Sequence, residues 1–419
     1  MTMFSLSEQA MADVRGLLDA ACTGEPAGIP CASTVVVGTS SQPELFAHST
    51  TASIGENGRE VGDDIYWLAS CTKLVTSIAC MQLVEGSILH LDDADQLESL
   101  CPELVDLKVV QEDGSLAPAR SRITLRMLLT HTAGFGYSFI NTKLQTYSKA
   151  YRDDGVNFNE FSGHMDDFLQ PLVNHPGEAF EYGISMDWAG IAVERVTGLR
   201  LGDYMQRHIF HPLGIHDLTM IPSLEIKKRF VGMWQRDKDG HLSSRTPLLS
   251  RPLGADASDS FHSGGAGLFG STREFGKILA MLLQDGRSPL GKVILAPSTI
   301  EAMFTNQLSW LPNFARRRLP AVKPELVYVA EAFYPPCPPP TPQGWGLGFM
   351  ITPGPTGRSD KTGQWSGISN AFWWCDRDRG IAGLVASQIL PFADLKVVEL
   401  WMEIESKVYE GIKREVADK

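Results

Sequence analysis

The 419-residue sequence has no basic excess: 37 Lys and Arg stand against 49 Asp and Glu, a formal charge of −12. Nucleic acids are held by clustered cations that neutralise phosphates, so a nucleic-acid partner is not expected. Cys-x-x-Cys spacing is also missing. The seven cysteines, at 22, 31, 71, 80, 101, 337 and 375, are odd in number and scattered. That pattern argues against a disulfide framework or a zinc site and fits a reducing compartment. No stretch approaches the roughly 20 apolar residues of a membrane span. The opening "MTMFSLSEQAMADV" has neither a basic segment nor a long apolar run, so no secretory signal is read there. No internal repeat is visible. These absences leave a soluble, cytoplasmic protein without nucleic-acid or membrane partners as the expectation. What is present is ordinary globular composition, 43% hydrophobic and 21% charged, in a chain long enough for one large domain or two intertwined ones.

Periodicity gives the organisation. Ser5 with Glu8 reads as a capping box ahead of Met11, Val14, Leu17 and Leu18 at helical spacing. "ASTVVVG" (32–38) is a β-branched run expected as a buried strand, and "LFAHSTTASIG" beyond it suggests a hairpin. A strand-like Ile65-Tyr66-Trp67 gives way to a helix that continues to Gly86. From about 87 to 254 the patterns are mostly helical, clearest in "ITLRMLLTH" (123–131) and "DWAGIAVERVTG" (187–198), the second closed by its glycine. Strand patterns return at "GWGLGFMI" (344–351), "NAFWWC" (370–375) and "GIAGLVAS" (380–387), followed by an amphipathic helix from about Asp394 to Val416. The proline-rich "YPPCPPPTPQG" (334–344) reads as a surface connection. Strands at both ends with a helical middle predict one sheet built from both termini, 1–69 with 255–419, beside a mainly helical domain, 70–254.

Three stretches could carry chemistry. In "LASCTKLVTS" (68–77), Ser70 and Lys73 stand one helical turn apart on one face. A lysine there can take the serine proton if burial or nearby cations lower its pKa; otherwise the pattern is a capped helix with a surface lysine. Tyr182, in "FEYGISMDWAG", is either a core tyrosine or a proton shuttle whose pKa nearby ammonium groups would lower. In "KTGQWSGISNAFWWC", Gly363 and Gly367 flank Trp365 just before a strand and mark either a turn or a close backbone approach to a ligand. His131 and His262 have no partner at i+3 or i+4, and His131 reads as a satisfied core residue; Cys71 reads as small packing.

Together the motifs resemble the serine β-lactamase and penicillin-binding-protein group, in the class C branch that includes family VIII carboxylesterases, and most closely fungal acyltransferases of the lovastatin type. Four stretches carry the resemblance in order: "LASCTKLVTSIACMQLVEG", "ITLRMLLTHTAGFGY", "PGEAFEYGISMDWAGIAVERVTG" and "HSGGAGLFGSTREFGKIL". The resemblance implies an α/β (α+β) fold, a β-lactamase-like antiparallel sheet flanked by helices with a helical second domain and the serine site between them. It implies Ser70 as acylated nucleophile, and Lys73 with Tyr182 as the base system, the first base left open. The backbone N–H groups of Ser70 and of Gly367 or Ile368 would form the oxyanion hole. Two features depart from the class C pattern. Ile184 stands where that pattern has asparagine, and both Lys361-Thr362-Gly363 and Trp365-Ser366-Gly367 could fill the third motif, with Trp365 favoured. The implied reaction is transfer of an acyl group from a small-molecule ester or acyl thioester, with an acyl carrier protein as one form of donor, onto a hydroxyl of a secondary-metabolite-like acceptor. A carboxylesterase using water is the near alternative and a non-catalytic scaffold the remote one. No cofactor and no metal is implied. Pocket shape is expected to lie in 136–176 and 305–343.

Overall fold

The computed structural model describes residues 3–23, 28–39, 42–51, 64–151, 158–255, 257–289, 291–315, 320–328 and 343–415. Its centre is a seven-stranded antiparallel sheet in the spatial order Gly344–Trp345, Met350–Ile351, Gly363–Gly367, Ala371–Asp376, Ile381–Ala386, Cys31–Gly38 and Glu44–Thr51. Both ends of the chain therefore build one sheet. All eight residues of Cys31–Gly38 are buried, as a β-branched strand covered on both faces should be. Side chains alternate along a strand, so Val35 and Val37 share one face and Thr34 and Val36 the other. The first face is covered by the Thr272–Leu283 helix, whose Gly276 lies against Val35 and Val37. On the opposite face Phe372, in register with Val385 and through it with Thr34, stacks on Trp401 of the Leu395–Gly411 helix at 4.5 Å between ring centroids.

Beside the sheet, the Thr72–Glu85 helix, almost every residue of which is buried, packs against Ser185–Thr197. Gly198 closes the latter helix in the left-handed conformation, φ +70°, as its sequence predicts. Three short strand pairings occur in the stretch read as mostly helical. Lys108–Val110 pairs with Leu116–Pro118, and Met233–Arg236 pairs with both Leu242–Arg245 and Ile389–Leu390. These strands are only two to four residues long, too short to show alternation.

Local readings are corrected at four places. Ser5 is not the cap: it lies in the strand Met3–Leu6, paired with Lys413, and the Ser7 hydroxyl accepts the Ala10 N–H at 3.2 Å instead. "ITLRMLLTH" gives only the helix Leu125–Leu129, capped by Thr124. "GWGLGFMI" is a hairpin rather than one strand, because Gly348 takes φ +102° and Gly346 passes the Met303 carbonyl so closely that a Cβ would sit 2.0 Å from its oxygen. The last helix stops at Gly411, where a Cβ would meet that of Ala10 at 2.2 Å, and the chain continues as a strand, Ile412–Glu415. Residues 334–342 of the proline-rich segment lie outside the described residues.

The segment leading into Gly363–Gly367 is tied to the last helix by a buried ion pair. Arg358 Nη2 reaches Glu405 Oε2 at 2.6 Å, its Nε bonds the other carboxylate oxygen, and Thr356 Oγ1 adds a bond at 2.6 Å. Removing one partner would leave a buried charge uncompensated. Glu405→Ala is therefore expected to lower unfolding stability by about 3–5 kcal/mol in urea titration, whereas a loss below about 1 kcal/mol would show that the guanidinium is satisfied elsewhere.

Candidate active site

Ser70 sits where the strand Tyr66–Trp67 turns into the Thr72–Glu85 helix. The strand pairs with Phe269–Gly270, and the turn is fixed by bonds from Leu68 N–H to the Leu268 carbonyl (2.9 Å), from Thr72 Oγ1 to the Ala69 carbonyl (2.6 Å) and from Leu268 N–H to Thr72 Oγ1 (3.0 Å). Ala69 is held at φ +45°, a conformation that costs a non-glycine residue about 1–3 kcal/mol. The short Ala69–Cys71 turn that follows presents Ser70 at the head of the helix.

One turn on, Lys73 is fully buried, and its Nζ donates to Ser70 Oγ (2.9 Å), the Gly265 carbonyl (2.9 Å) and Tyr137 OH (3.1 Å). Burial pushes its pKa down to about 7, against the opposing pull of Asp187. This is no surface lysine. Tyr182 lines the same cavity as Ser70, and its OH accepts Trp365 Nε1–H at 2.9 Å. Its ring lies beneath the ammonium, 4.8 Å from Nζ to centroid. The expected lowering of the tyrosine pKa does not hold: burial outweighs its hydrogen bonds and pushes the phenol up. The lysine and tyrosine are thus driven in opposite directions.

The Gly363–Gly367 strand and the turn after it close the site. Trp365, Ser366 and Ile368 line a cavity with Ser70 and Tyr182, while Lys361 is exposed in the preceding turn. Gly367 is required by proximity, since a Cβ there would stand 2.6 Å from the Leu68 carbonyl oxygen, hard against the Ser70 turn. Tyr137, Phe139, Ile140 and Phe161 from 136–176, Val327 from 305–343, and Phe392 complete the wall. The cavity volume is about 20 Å³, on the measure by which one water needs about 10–15 Å³. Phe372, Trp373 and Trp374 are buried in the next strand and do not line it. Ile184 is fully buried at the start of the Ser185–Thr197 helix and is not part of the wall.

Two residues escaped the sequence reading. Tyr137 follows Gly-Phe-Gly in a quoted block, yet only the fold brings its hydroxyl to Lys73. Asp187 is an acid set between Met186 and Trp188-Ala189 on a helix, an interruption of apolar residues that was visible in the sequence. His131 is a core residue but only half satisfied: Nδ1 accepts the Gly183 N–H at 3.4 Å, and Nε2 has no partner among the described residues. His262 likewise accepts the Gly202 N–H at 3.0 Å on Nδ1, with Nε2 unpartnered among the described residues, and burial pushes its pKa down to about 4. The Cys71 thiol is buried and pushed up to about 12, so it stays a thiol.

A hydroxyl, a buried amine of lowered basicity and a phenol gathered at one place are the parts of an acyl-transferring serine enzyme. The Beta-lactamase family profile matches residues 24–401, and the chain belongs to that family. It is similar to the lovastatin esterase of Penicillium rubens, 34% identical over 359 residues, covering 82% of this chain and 85% of that protein. The monacolin J acid methylbutanoyltransferase of Aspergillus terreus is 30% identical over 357 residues, covering 82% and 81%. Among solved structures, a mutant of simvastatin synthase (LovD) from Aspergillus terreus superposes with a TM-score of 0.78 at 27% identity, covering 96% of this chain and 95% of that one. The fold is β-lactamase-like, and the protein is an enzyme of the acyltransferase and esterase branch. Among the described residues, no helix is long and apolar enough to cross a membrane.

Gly367→Ala should force the strand away from the Ser70 turn. A displacement of about 1 Å at a reacting centre costs on the order of 100-fold in rate, so kcat/KM on a p-nitrophenyl ester should fall by about that factor while circular dichroism stays unchanged. Activity within about twofold of the parent would show that the strand's approach is not critical.

Proposed function

We propose that the protein moves a short acyl group onto the hydroxyl of a larger, secondary-metabolite-like acceptor through an ester on Ser70 Oγ. The observation that carries the reading is the 2.9 Å bond between Ser70 Oγ and a fully buried Lys73 of lowered basicity. Neutral Lys73 takes the Ser70 proton as Oγ bonds to the carbonyl carbon of an ester or acyl thioester. Lys73 rather than Tyr182 is the first base in this reading, because the phenol holds its proton more tightly than usual. The N–H groups of Ser70 and of Gly367 or Ile368 stabilise the oxyanion. Tyr182, on the same cavity as Ser70, relays the proton from Lys73 to the leaving oxygen or sulfur. The acceptor hydroxyl then repeats the sequence on the acyl-enzyme and frees Ser70.

Trp365 heads the third motif in this scheme, supported by its bond to Tyr182 and by the exposure of Lys361. The aromatic wall around Ser70 suits an apolar acyl group, and relatives named for methylbutanoyl transfer suggest a short branched one. An acyl carrier protein remains the proposed bearer of a thioester donor. The site lies between a sheet lobe, 1–69 with 255–419, and a helical lobe, 70–254, in the division we adopt. A cytoplasmic setting is in keeping with the six described cysteines, all free. Hydrolysis is the second reading, favoured by a cavity that holds about one water and by the relative named as an esterase.

Intact mass after incubation with a p-nitrophenyl ester should show one acyl adduct, absent in Ser70→Ala. A persisting adduct in that variant would remove Ser70 as nucleophile. Clearance by a polycyclic alcohol faster than by water marks the transferase; water winning against every alcohol marks the esterase.

Because the base works when Lys73 is neutral, kcat/KM should rise with pH through about 7 and level off above it. A profile flat from pH 5 to 9 would contradict a titrating lysine base.

A further inference from the structure

Asp187 is 1% exposed, yet only one of its carboxylate oxygens is bonded. Oδ1 accepts from Ser263 Oγ (2.5 Å) and Gly265 N–H (3.0 Å), while Oδ2 has no hydrogen-bond partner among the described residues. A buried, unpartnered carboxylate oxygen is costly unless a charge answers it. The nearby cation is Lys73. Gly265 stands between the two groups. Its carbonyl accepts from Lys73 Nζ, and a Cβ on it would lie 2.5 Å from Asp187 Oδ2 and 3.1 Å from Tyr137 OH. Only glycine leaves room for the carboxylate beside the residue whose carbonyl holds Lys73.

We propose that Asp187 is a positioning residue for the proton transfer. Its carboxylate holds the Ser263–Ala266 turn, and with it the Gly265 carbonyl, against Lys73, and it supplies the counter-charge when Lys73 receives the Ser70 proton. This rests on the Ser70–Lys73 reading above. In the step, the Ser70 O–H bond breaks and an N–H bond forms on Lys73. The oxygen's electron pair goes to the acyl carbon, and Asp187 remains a carboxylate throughout.

The other titratable groups around Lys73 are Cys71 on its own turn, His131 after the Leu125–Leu129 helix, Tyr137, and Tyr182. Burial pushes the thiol and both phenols up and the imidazole down, which keeps all four neutral in the ordinary pH range. Asp187 is left as the available anion. Burial presses it toward protonation and presses Lys73 toward neutrality, and each opposes the shift in the other.

The test compares pH profiles of kcat/KM on a neutral p-nitrophenyl ester for the parent and Asp187→Asn. Without the counter-charge, Lys73 protonates less readily, so the acidic limb should move down by about 1 pH unit while the plateau falls about tenfold. A limb that stays in place with a lower plateau would reduce Asp187 to a structural role and overturn the proposal. If that variant does not fold, Gly265→Ala decides. Its Cβ, which would lie 2.5 Å from Asp187 Oδ2, should push the carboxylate away and weaken the counter-charge, moving the limb the same way by a few tenths of a unit. No movement would overturn the proposal. Ser70 adduct formation separates the two readings: an adduct with an unmoved limb rejects Asp187 alone, and no adduct in the parent rejects the Ser70 scheme on which it rests.

Discussion

An ammonium group sealed from water is the constraint around which this molecule is arranged. Leaving a lysine charged in the interior is expensive, so it must lose its proton, find acceptors, or both. Lys73 does both: three oxygens surround Nζ, and burial brings its pKa to about 7. Those acceptors come from its own turn, from the loop after the Leu125–Leu129 helix, and from the Ser263–Ala266 turn. Tyr182, before the Ser185–Thr197 helix, adds its ring face. A shift in any of these segments would be felt at the lysine, which is why a site of few atoms needs so much of the chain to hold it.

Close backbone approaches are the means by which the segments meet. Gly367 lies against Leu68, Gly265 between Asp187 and Tyr137, and Gly183 against Phe135, where a Cβ would stand 2.3 Å from the carbonyl oxygen. Each is a place where a side chain would separate two walls of the site. Ala69, at φ +45°, is the complementary case, a strained residue kept in place by bonds on both sides. The seven-stranded sheet backs these contacts: Gly363–Gly367 is paired along its length with Ala371–Asp376 and at Gly363 and Gln364 with Met350–Ile351, and its approach segment is anchored to the last helix through Arg358 and Glu405.

Much of this was legible from residues alone, and the failures have definite causes. Cys31–Gly38 and Ile381–Ala386 were readable because strands buried on both faces are continuously apolar. The helix from Ser185 was readable because Gly198 ends it. Ser70, Lys73 and Tyr182 were singled out through motif resemblance, and the structure brings the three side by side. Spacing could not reveal that Gly346 and Gly348 fold one apolar run into a hairpin, since that depends on the passing Met303 carbonyl. The direction of the Tyr182 shift was also hidden: proximity to an ammonium suggested a drop, but burial is a property of the assembled fold. Tyr137 joins Lys73 from 64 residues away in sequence, a pairing no local pattern encodes.

Lys73 can take the Ser70 proton only if its amine is neutral near physiological pH. Protein labelled with ¹³C at the lysine ε carbons gives a direct reading by NMR titration, with the Lys73 signal assigned by its loss in Lys73→Arg. A midpoint near 7, well separated from the surface lysines, is the predicted result. A Lys73 signal that titrates with the others, at about 10.4, would mean that the amine keeps its charge and cannot take the serine proton.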